Sequence, residues 1–150
     1  MTPGLMSFLC DTSVLFAASD GGHVHHRASL ELVATATPEH SFVAAHSLAE
    51  LYATLSGVPG PRMRRLDQVL QAVEHTARVF TPVTLSTDDH LEVLRHVTDA
   101  GARSGQIYDA LILKCAERAE VETVYTWNLA HFERVASPAM AGRIRTPEQG

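Results

Sequence analysis

Ile107-Tyr-Asp-Ala-Leu-Ile-Leu-Lys-Cys-Ala116 holds a single carboxylate, Asp109, inside an otherwise apolar run. Tyr108, Leu111, Ile112, Cys115 and Ala119 recur at the i, i+3, i+4, i+7, i+11 spacing of one helix face, which predicts a largely buried helix. Asp109 lies beside that stripe, not opposite it. An unpaired carboxylate taken out of water is strongly disfavoured or forced neutral, so an acid here needs a helix N-terminus, an arginine or a metal ion. A first-turn acid stabilised by the helix dipole, worth about 0.3–1 kcal/mol, is the simpler account, and the local sequence leaves both open.

Working outward, Gly101 to Gly105 is a loop, and Glu122-Thr-Val-Tyr-Thr126 is a compact strand. Asn128 to Val135 is a short helix, and Arg143-Ile-Arg-Thr146 a weak final strand. Upstream, Ser86 or Thr87 with Asp88 and Asp89 starts a helix that runs to about Ala100 through Leu91, Leu94 and Val97. Both acids fit first-turn charges better than ligands. Arg78 to Leu85 alternates as a strand, and Pro82 directs it to an edge. Two helices precede it, His46 to Gly57 with Leu48, Leu51, Tyr52 and Leu55 inward, and Arg62 to His75 with Met63, Leu66, Leu70 and Val73 inward. The breakers of Val58-Pro-Gly-Pro61 join them as a hairpin. At the start, Leu5-Met-Ser-Phe-Leu-Cys10 reads as a buried strand, Val14 to Ala18 as a helix, Val24 to Ala36 as a second helix, and Ser41 to Ala45 as a strand. Five strands alternating with helices indicate an α/β domain with a mostly parallel sheet.

The 150 residues, 45% of them hydrophobic, suit one domain spanning residues 1–150, able to bury about 70% of its unfolded surface. No apolar run approaches the roughly 20 residues that span a bilayer, and no basic flank precedes an apolar core at the N-terminus, so a soluble cytoplasmic protein is expected. Cys10 and Cys115 are far apart in apolar surroundings and read as buried hydrophobes, not a disulfide or zinc framework. A net charge of -5 argues against nucleic-acid binding through a broad basic face, although bound cations can reverse the local sign. The triplet His23, His25 and His26 lacks a helical HExxH spacing and fits a solvated loop and cap.

Parallel sheets assemble their sites beyond the carboxyl ends of the strands. Asp11 ends the first strand, and Asn128 follows the strand ending near Thr126. Glu50 lies near the start of the helix leaving the second strand, and a solvated surface residue is its plain alternative. The helix of Asp109 leads into the fourth strand and runs antiparallel to it, so its N-terminus starts at the same edge. Three carboxylates and an amide brought together would repel and raise each other's pKa values. A hard cation such as Mg²⁺ or Mn²⁺ resolves that conflict and opens metal-assisted phosphodiester hydrolysis by an activated water.

Phe8-Leu-Cys-Asp-Thr-Ser13, Ser47-Leu-Ala-Glu-Leu51, Gly105-Gln-Ile-Tyr-Asp-Ala110 and Thr126-Trp-Asn-Leu-Ala-His-Phe132 form an ordered set that resembles the PIN-domain ribonuclease family, most closely its VapC-like toxins of type II toxin-antitoxin systems. The resemblance implies a three-layer α/β/α domain and a Mg²⁺- or Mn²⁺-dependent endoribonuclease. It implies Asp11, Glu50 and Asp109 as metal-site acids, Thr12 or Ser13 as a nearby hydroxyl, and Asn128 in a fourth polar position. Many family members carry Asp there, so Asn128 departs from the fully acidic pattern and adds no charge for a second ion. A homodimer, an RNA substrate and an antitoxin wrapping the helical hairpin are also implied. Arg62, Arg64 and Arg65 near its tip, and Arg103 before Asp109, are candidate phosphate contacts, with a solvated helix start as the alternative for the first three. A noncatalytic PIN-like binding module is the competing assignment. An aspartyl-phosphate phosphatase is disfavoured, because Asp11-Thr-Ser13 lacks a second acid two residues on and no suitably placed lysine follows.

Overall fold

Short apolar strands buried on both faces form the centre of the structure, a computed structural model that describes residues 6–149. Leu5, expected to open the first strand, lies outside the described residues. Strand β1 (Phe8–Cys10) is flanked by β2 (Ser41–Ala44) and β4 (Thr123–Tyr125), with β3 (Thr81–Val83) and β5 (Ile144–Arg145) at the edges. All four pairings are parallel, in the order β3-β2-β1-β4-β5. Pro82 sits on edge strand β3 opposite Val43, where its missing N–H breaks no inner ladder.

Strand alternation separates two cores. Phe8, Cys10 and Val43 face α1 (Thr12–Ser19), α2 (His26–Val33), α3 (Ala45–Ser56) and α4 (Leu66–Val79) through Val14, Leu15, Leu51, Leu55 and Val69. Leu9, Ala44 and Val124 face α5 (Thr87–Asp99), α6 (Gln106–Ala119) and α7 (Leu129–Val135) through Val93, Val97, Leu111, Ile112, Cys115 and Phe132. The result is a three-layer α/β/α domain. Both cysteines are buried and free. No helix among the described residues is long and apolar enough to cross a membrane.

Three expected inward stripes are corrected. In α4 Val69 is fully buried and Val73 packs against the core, while Leu66 and Leu70 are 60% and 50% exposed; Met63, 67% exposed, precedes the helix, which starts at Leu66 and not at Arg62 as expected. In α5 Val93 and Val97 are buried, while Leu91 and Leu94 are exposed, and in α3 Tyr52 is exposed beside buried Leu51 and Leu55. Each helix carries two apolar arcs roughly 100° apart, and only docking on the sheet selects which is covered. The predicted strand from Arg78 is also shortened, because α4 continues through Val79 before Phe80 turns the chain.

Tyr108 is exposed although Leu111, Ile112 and Cys115 of its stripe are buried and Ala119 is partly buried. The 14-residue α6 is about 21 Å long, while the three-residue strand β4 that follows it spans about 10 Å. Its first turn therefore overhangs the sheet edge and carries Asp109 to a half-buried position.

Candidate functional site

The chain leaves β1 toward β2 and β3 on one side and later fills β4 and β5 on the other, so the sheet reverses direction between β1 and β4. Crevices at such a reversal, beyond the carboxyl ends of the strands, are where parallel sheets hold ligands. Asp11 and Thr126 stand there.

Asp11 caps α1, with Oδ1 accepting from the Val14 amide at 3.2 Å and from Ser13 Oγ at 2.6 Å. Its Oδ2 accepts from Thr126 Oγ1 at 2.8 Å. The segment after β4 is stitched onto the same pair: Asn128 N donates to Thr126 Oγ1 at 2.9 Å, and Trp127 N donates to Ser13 Oγ at 3.0 Å. These bonds lock the carboxylate and occupy both lone pairs of Oδ1, while leaving Oδ2 a lone pair for a further partner.

Burial dominates the electrostatics of Asp11, which is only 3% exposed and has its pKa pushed up to about 6. The three donors pull it down and the charge of Asp109 pushes it up further. Asp109 is likewise raised, first by burial and then by Glu50, against a lowering pull from His131. No lysine or arginine is paired with either carboxylate among the described residues.

Glu50, in the second turn of α3, accepts from Thr12 Oγ1 at 3.3 Å and lies 3.4 Å from His46 Nε2. The His46 contact lacks hydrogen-bond geometry, since this ring nitrogen is buried without a bonded partner. Burial lowers the His46 pKa more strongly than Glu50 raises it, which favours a neutral ring. Asn128 is exposed at the start of α7, and its side chain makes no cap bond. The fold therefore groups Asp11, Asp109 and Glu50 electrostatically, holds Thr12 and Ser13 in contact with them, and ties in Asn128 by its backbone.

Asp109 forms one wall of an open cleft of about 560 Å³ whose other walls include Arg103, Gln106, His131 and Arg134. Arg103 N donates to Gln106 Oε1 at 2.8 Å, which shapes the loop before α6. The arginines near the hairpin tip are engaged elsewhere. Arg62 pairs with buried Asp20, Arg64 donates to Ser19 O and lies 3.9 Å from Asp20, and Arg65 holds Asp67 at 3.0 Å. Arg62 and Arg64 clamp the hairpin to the end of α1, and the hydrogen bond from Arg62 lowers the Asp20 pKa.

Thr126, His131 and Arg134 escaped the sequence analysis. A hydroxyl immediately after a strand that ends at the site edge is a signal for Thr126. His131 and Arg134, three residues apart on α7, share a helix face, but nothing local relates that face to Asp109.

Among the described residues no three His, Cys, Asp or Glu side chains converge as a ready-made metal cage. Mg²⁺ needs no such cage: it keeps several waters and is commonly held by one or two carboxylates beside a substrate phosphate. One buried and one half-buried acid, both with raised pKa values and neither paired with a lysine or arginine among the described residues, fit that mode.

No curated protein sequence matches the chain. Among solved structures, it is similar to the Mycobacterium tuberculosis toxin VapC20, described as cleaving the sarcin-ricin loop, with TM-score 0.68 and 17% identity over 83% of this chain and 92% of that one. It is also similar to a toxin-antitoxin complex from Klebsiella pneumoniae, with TM-score 0.66 and 17% identity over 94% and 98% of the two chains. For DNA-bound VapBC from Salmonella typhimurium the TM-score is 0.65 and the identity 20%, over 95% and 99%. These likenesses concern the fold. The PIN domain family profile matches residues 8–138, nearly the whole length described here, and the chain belongs to the PIN domain family.

Proposed function

We propose that the protein is a Mg²⁺- or Mn²⁺-dependent endoribonuclease acting in the cytoplasm as the toxin of a toxin-antitoxin pair. The observation that carries this is the Asp11 and Asp109 pair at the sheet reversal, both raised by burial, Asp11 further by Asp109 and Asp109 further by Glu50, with no lysine or arginine paired to either among the described residues. PIN membership and likeness to VapC structures support it. Asp11 and Asp109 hold the cation, with Glu50 supporting the site through Thr12 and the shared negative field. The bound cation supplies activation of the attacking water and stabilisation of charge at the phosphate.

Ser13 and Thr126 keep the Asp11 carboxylate in one orientation. Arg103 contacts an RNA phosphate next to Asp109, because Arg62, Arg64 and Arg65 already hold acidic or carbonyl partners. Asn128 orients water through its carbonyl but adds no charge, consistent with one tightly held ion. An antitoxin covers the α3–α4 hairpin at exposed Tyr52, Met63, Leu66 and Leu70, and a homodimer forms through the apolar face of α5 at Leu91 and Leu94.

Structured and single-stranded RNAs incubated with the protein, with Mn²⁺ or chelator, test the assignment. Cleavage that survives chelation together with Asp11→Asn and Asp109→Asn would sink it. The uncharged, exposed Asn128 favours the second reading, a PIN-like module that binds RNA or protein without cutting. Such a module gains no thermal stability from Mn²⁺ in a manner dependent on Asp11 and Asp109.

A further inference from the structure

Next to the acids lies an aromatic feature that hydrolysis does not use. Trp127 is held at both ends, by its backbone N–H to Ser13 Oγ at 3.0 Å and by its indole N–H to the buried Ser29 Oγ at 2.8 Å. The His25 ring lies flat on the indole, with centroids 3.7 Å apart and planes 7° from parallel. His23 follows at 5.7 Å from His25 and meets Phe16 edge-on at 5.6 Å. His23 Nδ1 also accepts from the His25 amide at 3.0 Å, which sets the loop.

Both His25 and Trp127 remain partly exposed. The hydroxyl that grips Trp127 is the one bonded to Asp11 at 2.6 Å, so the stack is two hydrogen bonds from the metal-site carboxylate. A cation flanks the same loop: a Cβ added at Gly22 would lie 3.0 Å from the Arg62 guanidinium carbon, so glycine there lets the arginine pack against the backbone.

We propose that the His25–Trp127 stack is a docking platform for an unpaired nucleobase of the RNA substrate, adjacent to the scissile phosphate. This rests on the ribonuclease assignment above. Splayed-out RNA bases stack on aromatic and histidine rings, and such stacking tolerates any base because every base has a π-face. A pair already ordered by packing and hydrogen bonds loses little freedom when a base joins it. The platform selects for single-stranded RNA near the cut.

Trp127 is the only tryptophan in the chain, so its fluorescence reports the platform directly. The Asp109→Asn protein in chelator is titrated with a short single-stranded RNA and with an abasic oligonucleotide of equal length. The intact RNA should quench Trp127 and bind about tenfold more tightly than the abasic one. His25→Ala should remove that difference and His25→Tyr restore it, with thermal unfolding confirming that both variants fold. In the active protein His25→Ala should raise KM about tenfold, more than it lowers kcat. Equal quenching by abasic and intact strands overturns the platform even where metal-dependent cleavage persists. Base-dependent quenching by a protein that cuts no RNA keeps the platform and removes the ribonuclease assignment.

Discussion

Asp11 and Asp89 are nearly equally buried, at 3% and 4% exposure, and both accept hydrogen bonds at the start of a helix. Asp89 shares a reciprocal capping box with Ser86 and takes Arg118 as its ion partner, which with the box holds its pKa down at about 2. Asp11 has three donors and no lysine or arginine partner among the described residues, and its pKa is pushed up to about 6. At Asp11 the desolvation of burial outweighs three hydrogen bonds, whereas at Asp89 desolvation is a lesser contribution and the guanidinium together with the capping box outweighs it. A buried acid that lacks its arginine is therefore the one open to an external cation. Asp89 serves the fold, and Asp11 is the acid that the proposed nuclease site would use for its cation.

The largest expected effect lies in activity. Asp11→Asn should reduce metal-dependent RNA cleavage about a thousandfold, since cation binding contributes several kcal/mol of charge stabilisation. The same substitution should raise the melting temperature at pH 7 without metal, because it removes an unfavourable ionisation of about 2–3 kcal/mol, from 3.8 unfolded to about 6 folded. Calorimetry with a cleavage assay checks both. A variant that loses stability along with activity would break the contrast with Asp89.

Arg118→Ala should do the reverse, leaving Asp89 without its cation and lowering the melting temperature by several degrees while metal-dependent cleavage persists. Wild-type stability in this variant would mean that the capping box alone suffices for Asp89.

The two acids also oppose each other in pH dependence. Asp89, with a depressed pKa, contributes stability that is complete above its unfolded value near 3.8 and is lost as pH falls through about 2. Asp11, with a raised pKa, favours the fold fully only below 3.8, and that contribution is lost as pH rises through about 6. Mn²⁺ affinity should consequently fall about tenfold per pH unit below 6, as a proton competes for Asp11. Isothermal titration across pH 5 to 7, a window of about one unit on either side, reads this slope directly.

The smallest effect sharpens the role of the donors. Thr126→Val removes one hydrogen bond to the charged carboxylate and should raise the midpoint of the pH–activity profile by about 0.5–1 unit. An unmoved midpoint would show that Thr126 positions Asp11 without tuning it.

Much of the fold was legible along the chain. The five strands, the edge position of Pro82 and the buried run of α6 follow from period and breaker residues, which act over a few positions. The faces of α4 and α5 were not legible, because Leu66, Leu70, Leu91 and Leu94 are as apolar as the side chains that are covered. At the candidate site, Asp11, Asp109 and Glu50 could be brought to one edge by counting strand directions. The same count could have reached Thr126, a hydroxyl at the end of the fourth strand, but not the His25–Trp127 stack, which rests on Ser29 and Trp127, 98 residues apart in the chain.

The sequence by itself determined which carboxylates stand at strand ends and helix starts, because alternation, periodicity and capping are local physics. Only the tertiary structure decided which of those acids is neutralised. Arg118 reaches Asp89 across 29 residues and Arg62 reaches Asp20 across 42, while no arginine is paired with Asp11 among the described residues. Burial and charge pairing are properties of space, not of order along the chain, and they separate an acid that holds the fold from one that is free to hold an ion.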